Sequence, residues 1–267
     1  MKKYAIVEEI LTKKRKWLYE PWIKKGAVFF KTFQDVPSDY IVLADYPPWL
    51  DPLKTWAQNG GKFIEFEWGY WGEKIFKGNK LRIQMYRVTY GHSHNINMRP
   101  VPFSRLHTLN PSLEEWKINR GNTLLLIEPN HEFVTKRTGL PFDEWRSLFL
   151  SKITPYWDGP MKWRPKRGGG SINRFESYKK DLETSFAVIG ERTMACVEAV
   201  MLGYPAYTVD VSAVTPLMGN DLSVLKNPIL PDRTQWVEHI SWSQFHESEF
   251  LNGTDVADMV EMYQIDA

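Results

Sequence analysis

The stretch Phe186-Ala-Val-Ile-Gly-Glu-Arg-Thr-Met-Ala-Cys-Val-Glu-Ala-Val-Met-Leu-Gly-Tyr-Pro205 decides the fold class. A short apolar run ends at Gly190, a polar turn carries Glu191, Arg192 and Thr193, and apolar residues then recur at helical spacing to Leu202. That pattern predicts a buried strand, a tight turn and a helix capped by Thr193, with Gly203 just past its end and Pro205 opening the next strand. The free N–H groups and the positive dipole end at the helix start suit a phosphate. Cys196 lies among apolar neighbours on that helix and reads as a buried, inert thiol.

Working outward, the same alternation recurs. Asn122 to Pro129 is an apolar run followed by a polar loop, Phe142 to Leu150 has helical spacing, and Met161 to Arg164 and Ala206 to Val209 read as further strands. Upstream, Ala27 to Phe30, Tyr40 to Leu43, Lys62 to Glu67 and Leu81 to Thr89 are extended segments. Asp51 and Pro52 open a short helix that Gly60 and Gly61 close. Between the two series, residues 100 to 122 hold Pro100, Pro102 and Pro111 and end in Gly121-Asn122, the composition of a linker. The expected architecture is α/β, two Rossmann-like halves facing a cleft, with residues 1–120 as an acceptor-side domain. Residues 121–267 form the second domain, whose C-terminal helix, with Trp236, Trp242 and Phe245 as core, crosses back onto the first. No period of 20 to 50 residues marks a solenoid or propeller.

Composition narrows the function. Thirty-four basic against 32 acidic side chains in 267 residues give a formal charge of +2, which excludes a polycation or an acidic tail. Apolar runs fall far short of the roughly 20 residues of a membrane helix, and the Met-Lys-Lys start lacks a signal-peptide core. A single cysteine excludes an intramolecular disulfide and suits a reducing cytoplasm. Twelve Trp and 12 Tyr supply many flat faces with polar edges, suited to sugars, bases or a core. The cluster Lys13, Lys14, Arg15, Lys16 with Trp17, Tyr19 and Trp22 reads either as a solvated basic face or as a grip on nucleic acid. P-loop, dinucleotide, zinc-protease and hydrolase-elbow motifs are absent, and His92, His94 and His107 lack metal-ligand spacing, so no metal is expected.

Thr193 followed by Glu198-Ala199 and Gly203-Tyr204-Pro205 resembles the nucleotide-sugar half of GT-B glycosyltransferases, a match spanning roughly residues 120 to 250. Similar cassettes occur in nucleotide-sugar epimerases. The resemblance implies a UDP- or GDP-linked sugar as co-substrate, with no tightly bound cofactor. Its diphosphate would lie at the Arg192-Thr193 turn, its ribose hydroxyls on Glu198, and Arg164 and Lys166 would pair with the leaving diphosphate. A glycine-rich loop in the first half is missing, and the chain is short for two full nucleotide-binding folds. Glu65-Phe-Glu67-Trp-Gly-Tyr70-Trp-Gly72 with Tyr86-Arg87-Val-Thr89 resembles a segment of phage-encoded proteins of this type, some of which glycosylate hydroxymethylated bases in DNA. That implies duplex DNA as an acceptor, a host-cytoplasmic location, and acceptor contacts from Tyr70, Trp71 and Arg87. Sugar transfer needs a base for the acceptor proton, and Glu67, Asp45 and His94, at or just after strand ends, are the candidates in that order. A non-catalytic nucleic-acid-binding or scaffold protein that retains the fold is the alternative.

Overall fold

The computed structural model describes residues 2–11, 13–45, 51–70, 74–77, 80–83, 85–91, 96, 101, 105, 109, 111–118, 120–166, 172–251 and 255–266. In chain order its strands are β1 (Lys3–Val7), β2 (Val28–Phe30), β3 (Tyr40–Ala44), β4 (Lys62–Trp68), β5 (Lys74–Lys77) and β6 (Lys80–Ile83). They continue as β7 (Met85–Tyr90), β8 (Thr123–Ile127), β9 (Met161–Arg164), β10 (Ser185–Gly190), β11 (Ala206–Thr208) and β12 (Gln244–His246). The α-helices are α1 (Glu20–Lys24), α2 (Leu53–Gln58), α3 (His131–Thr138), α4 (Phe142–Ile153) and α5 (Ile172–Glu183). After them come α6 (Met194–Met201), α7 (Thr215–Met218), α8 (Thr234–Trp242), α9 (Glu247–Leu251) and α10 (Val256–Val260). The chain divides into two units: Met1–Glu73, Ile83–Arg105 and Glu238–Ala267 form the first, and Lys74–Arg82 with Leu106–Val237 the second.

Unit 1 is built on a six-stranded sheet of order β12-β7-β4-β3-β1-β2. Strands β2, β1, β3 and β4 are mutually parallel, while β7 and β12 add antiparallel edges. Parallel strands are buried on both faces, which is why Tyr40 to Ala44 is apolar without alternation. Ile41 and Leu43 join Ile6, Trp22 and Phe245 on one side, and Val42 and Ala44 join Val7, Leu53 and Phe63 on the other. The C-terminal turn at Glu261–Ile265 ties down β7: Gln264 donates to the Val88 carbonyl at 2.7 Å and accepts from Tyr90 N at 2.9 Å.

Unit 2 holds a four-stranded, wholly parallel sheet of order β11-β10-β8-β9. Its strands are almost continuously buried from Leu124 to Ile127 and from Ala187 to Ile189; α5 and α6 pack on β10, and Phe149 of α4 lies 5.5 Å from the Trp163 ring of β9. Each unit therefore contains the same parallel order. Within each parallel set the first strand is central, the second lies on one side of it, and the third and fourth lie on the other. No sequence period announces this repetition, because it resides in connectivity rather than in residue identity.

Several local expectations change. The polar loop after Pro129 is the helix α3: Asn130 caps it by accepting from Phe133 N at 3.2 Å, and Gly139 ends it at φ 75°. The single segment Leu81 to Thr89 is two strands, β6 pairing with β5 and β7 joining the large sheet. The described part of the expected linker is a strap on unit 2. Glu114 N donates to Met201 O at 2.9 Å, Lys117 N to Gly203 O at 2.8 Å, and the Trp116 indole to Pro231 O at 2.9 Å. Arg233 caps the end of α6 by donating to Val200 O and lies 4.1 Å from the Trp116 ring.

Gly203 makes that strap possible. It sits at φ 82°, and a Cβ there would lie 2.1 Å from Glu115 O. Gly203→Ala is therefore expected to cost roughly 2 kcal/mol or more, since it combines left-handed strain with a backbone clash. Urea unfolding checks this; a loss within experimental error would show that the strap moves away freely.

Candidate functional site at the carboxyl edge of the unit 2 sheet

In an open parallel sheet the chain changes direction between its two central strands, and their carboxyl ends leave a crevice there. In unit 2 those strands are β8 and β10. The crevice is lined by Glu128 after β8, by Glu191, Arg192 and Thr193 after β10, and by the starts of α3 and α6.

Gly190 sets the turn. A Cβ there would fall 2.5 Å from Thr193 Cγ2 and 3.0 Å from Cys196 Sγ, so only glycine lets the strand end close against α6. Thr193 caps α6, its hydroxyl accepting from Ala195 N at 3.3 Å. Arg192 adopts a left-handed φ of 45°, and its Nε donates to Asp210 just beyond β11 at 2.9 Å. Glu191 is held by Arg137 of α3 at 2.6 Å and by the Trp145 indole of α4 at 2.7 Å. Glu128 meets His131 Nε2 at 2.9 Å, and the His131 ring stacks on Phe142 with centroids 3.5 Å apart. His131 is 59% exposed on its side chain, at the first position of α3.

The sequence-derived residues fall as follows. Arg192 and Thr193 stand in the crevice. Arg164, at the carboxyl end of β9, is ion-paired with Asp181, reaches Ser177 at 3.2 Å and lies over the Tyr178 ring, so it is a braced cation. Lys166 is exposed, with its ammonium 5.3 Å from the Phe133 ring. Glu198 is half-buried on α6. Cys196 is fully buried, and burial pushes its thiol up to about 12, which makes it inert at neutral pH. Glu128, His131, Arg137 and Asp210 escape a sequence reading, because their common place with the Glu191-Arg192 turn at one sheet edge depends on strand order.

In unit 1 Asp45 follows β3 but is only 4% exposed on its side chain and pairs with Arg15 at 2.6 Å. Arg15 in turn lies 4.8 Å from the Trp68 ring. As an acceptor base Asp45 is thereby enclosed. Glu67 is more open at 32%, and 3.8 Å from Arg87. Tyr70 does not offer a stacking face: it is 3% exposed, with the Arg87 guanidinium 4.8 Å from its ring. Arg87 is itself 3% exposed. The nucleic-acid grip expected at Lys13 to Trp22 loses its aromatic part, since Tyr19 and Trp22 are buried in the core and Trp17 packs edge-on against Tyr86. His94 and Trp71 lie outside the described residues, as do His92 and His107. Among the described residues no cluster of three metal-ligating side chains occurs. No described helix is long and apolar enough to cross a membrane.

No family model matches the chain, and no curated protein does. Among solved structures, the chain is similar to KpsC, a beta Kdo 2,7 transferase of Thermosulfurimonas dismutans. The TM-score is 0.48 at 8% identity, covering 96% of this chain and 99% of that one.

The Arg192–Asp210 pair has a definite pH signature. Burial opposes the Asp210 charge, yet the Val211 N–H and the Arg192 guanidinium hold its carboxyl below the usual aspartate range. A carboxyl depressed by folding stabilises above its unfolded pKa and loses that contribution as pH falls through the folded value. The stability gap between wild type and Asp210→Asn is thus expected to be level near neutrality and to close below about pH 4. Urea titrations across that range measure it; a gap independent of pH would remove the ion pair from the account.

Proposed function

We propose that the chain transfers a glycosyl group from a nucleoside-diphosphate sugar to an acceptor hydroxyl. The observation that carries this reading is the doubled strand order, with the Thr193, Glu198 and Gly203-Tyr204-Pro205 motif at the switch point of its second copy. The start of α6, with the positive end of the helix dipole, suits the donor diphosphate. Lys166 and the braced Arg164 supply positive charge as that diphosphate departs. Glu198 accepts from the ribose hydroxyls. In the reaction the bond from the anomeric carbon to the diphosphate oxygen breaks and a bond to the acceptor oxygen forms. The acceptor proton passes to a carboxylate, for which Glu67 is the open candidate.

Duplex DNA as acceptor is the finer version of this reading. It rests on exposed cations such as Lys16 and Lys24 alone, since Trp17, Tyr19, Trp22 and Tyr70 are engaged in packing. A salt-dependent gel shift with hydroxymethylated against plain duplex would support it, and no shift at low salt would remove it.

The donor reading has a direct test. UDP or GDP is expected to raise the melting temperature. Lys166→Ala, which removes an exposed group, is expected to weaken nucleotide binding by roughly 1.5 to 3 kcal/mol without lowering the melting temperature of the free protein. Glu198→Gln is expected to weaken ribonucleotides more than deoxyribonucleotides. Calorimetric affinities equal to wild type in both variants would overturn the assignment.

A further inference from the structure

Cross-strand pairing places a polar row on one face of the unit 1 sheet. Glu67 of β4 pairs with Arg87 of β7, which pairs with Gln244 of β12, and the next row joins Glu65 to Thr89. Residues two apart share a face, so all five look to the same side, opposite the apolar side formed by Ile64, Phe66, Tyr86, Val88 and Phe245. Glu65, Arg87, Thr89 and Gln244 are all nearly or wholly buried. Such a row is expensive unless its polar atoms are satisfied.

They are not all satisfied. Among the described residues, Arg87 Nε and Nη1 have no hydrogen-bond partner, and neither does Thr89 Oγ1. Three of the five guanidinium N–H donors are therefore unmatched. Its contact with Glu67 is long, at 3.8 Å, and Glu67 instead accepts from its neighbour Trp68 N at 3.2 Å. The arginine is nonetheless fixed in place. Its guanidinium lies over the Tyr70 ring, and the Gly69-Tyr70 turn is fastened by Gly69 N to Met85 O at 2.8 Å and by Tyr70 N to the Gln244 side chain. A Cβ at Gly69 would meet Met85 Cβ at 2.7 Å, so this close fit needs glycine.

We infer that the Glu67, Arg87 and Thr89 row is a binding site for a vicinal diol of a saccharide, which makes a sugar rather than duplex DNA the acceptor. The class follows from the charges. Glu67 beside the guanidinium opposes a carboxylate or phosphate, whereas a hydroxyl accepts from the guanidinium and donates to a carboxylate at once. Two adjacent hydroxyls match Arg87 with Glu67 on one side and Thr89 on the other. Glu67, partly open to solvent, is the end of the row that a ligand reaches first. The acceptor part of this inference rests on the transferase reading; the diol site does not.

Saturation-transfer NMR on the full chain, with a panel of methyl glycosides differing in ring-diol configuration, tests it. Glycosides with the matching diol are expected to receive saturation, and their affinity to fall about tenfold or more in Arg87→Met and in the isosteric Thr89→Val. Melting curves confirm that the variants fold, and Thr89→Val keeps the test open if Arg87→Met does not. UDP binding by the same samples reports on unit 2 alone. Glycoside binding without UDP binding would condemn the transferase reading and leave the diol site standing. Absence of glycoside binding, or equal binding by wild type and variants, would overturn the site and assign the unmatched donors to buried water.

Discussion

Parallel strands cannot be joined by a tight turn, and that constraint organises both units. Each strand must return to the same end of the sheet before the next begins, so every crossover spans the sheet. Every strand therefore releases its chain at one common edge. Where the second and third strands lie on opposite sides of the first, the crossovers leave that edge uncovered. In unit 2 this brings Glu128, the Glu191-Arg192 turn and Asp210 together from three places in the chain. In unit 1 it brings Asp45 to the corresponding place, after the third strand of the same order.

The two edges have been used differently. Both third strands end in a carboxylate gripped by an arginine, Asp45 by Arg15 and Glu191 by Arg137. In unit 2 the next residues open into a helix of eight residues that Thr193 caps and whose start carries the positive end of the helix dipole. In unit 1 the polar chemistry has moved outward, to the antiparallel pair β4 and β7, where Arg87 lies between Glu67 and Gln244 with its Nε and Nη1 unmatched among the described residues. Antiparallel pairing permits this, because opposed residues come face to face and form rows across several strands.

Much of the α/β character was legible because apolar runs such as Tyr40 to Ala44 and Leu124 to Ile127 are too short for helices and are bounded by turn residues. The turn at Gly190 to Thr193 was legible for the same reason, with glycine, cap and helix in sequence order. Three things were hidden. Helix α3 has one buried apolar residue, Val134, so it lacks a stripe and announces itself only by Asn130 and Gly139. The strap at residues 111–118 owes its place to backbone hydrogen bonds and Trp116, which leave no period. The burial of Trp22 and Tyr70 and the packing of the partly buried Trp17 reverse the obvious reading of those motifs, since aromatic residues between lysines pack inward as readily as they stack on ligands.

The central claim is that unit 2 binds a nucleoside diphosphate at the carboxyl edge of its sheet. Hydrogen exchange read by mass spectrometry, with and without UDP or GDP, tests it without presuming activity. Slowed exchange confined to peptides covering residues 127–133, 161–166 and 190–198 is the result the account requires. Protection elsewhere in the chain, or none at saturating nucleotide, would contradict it.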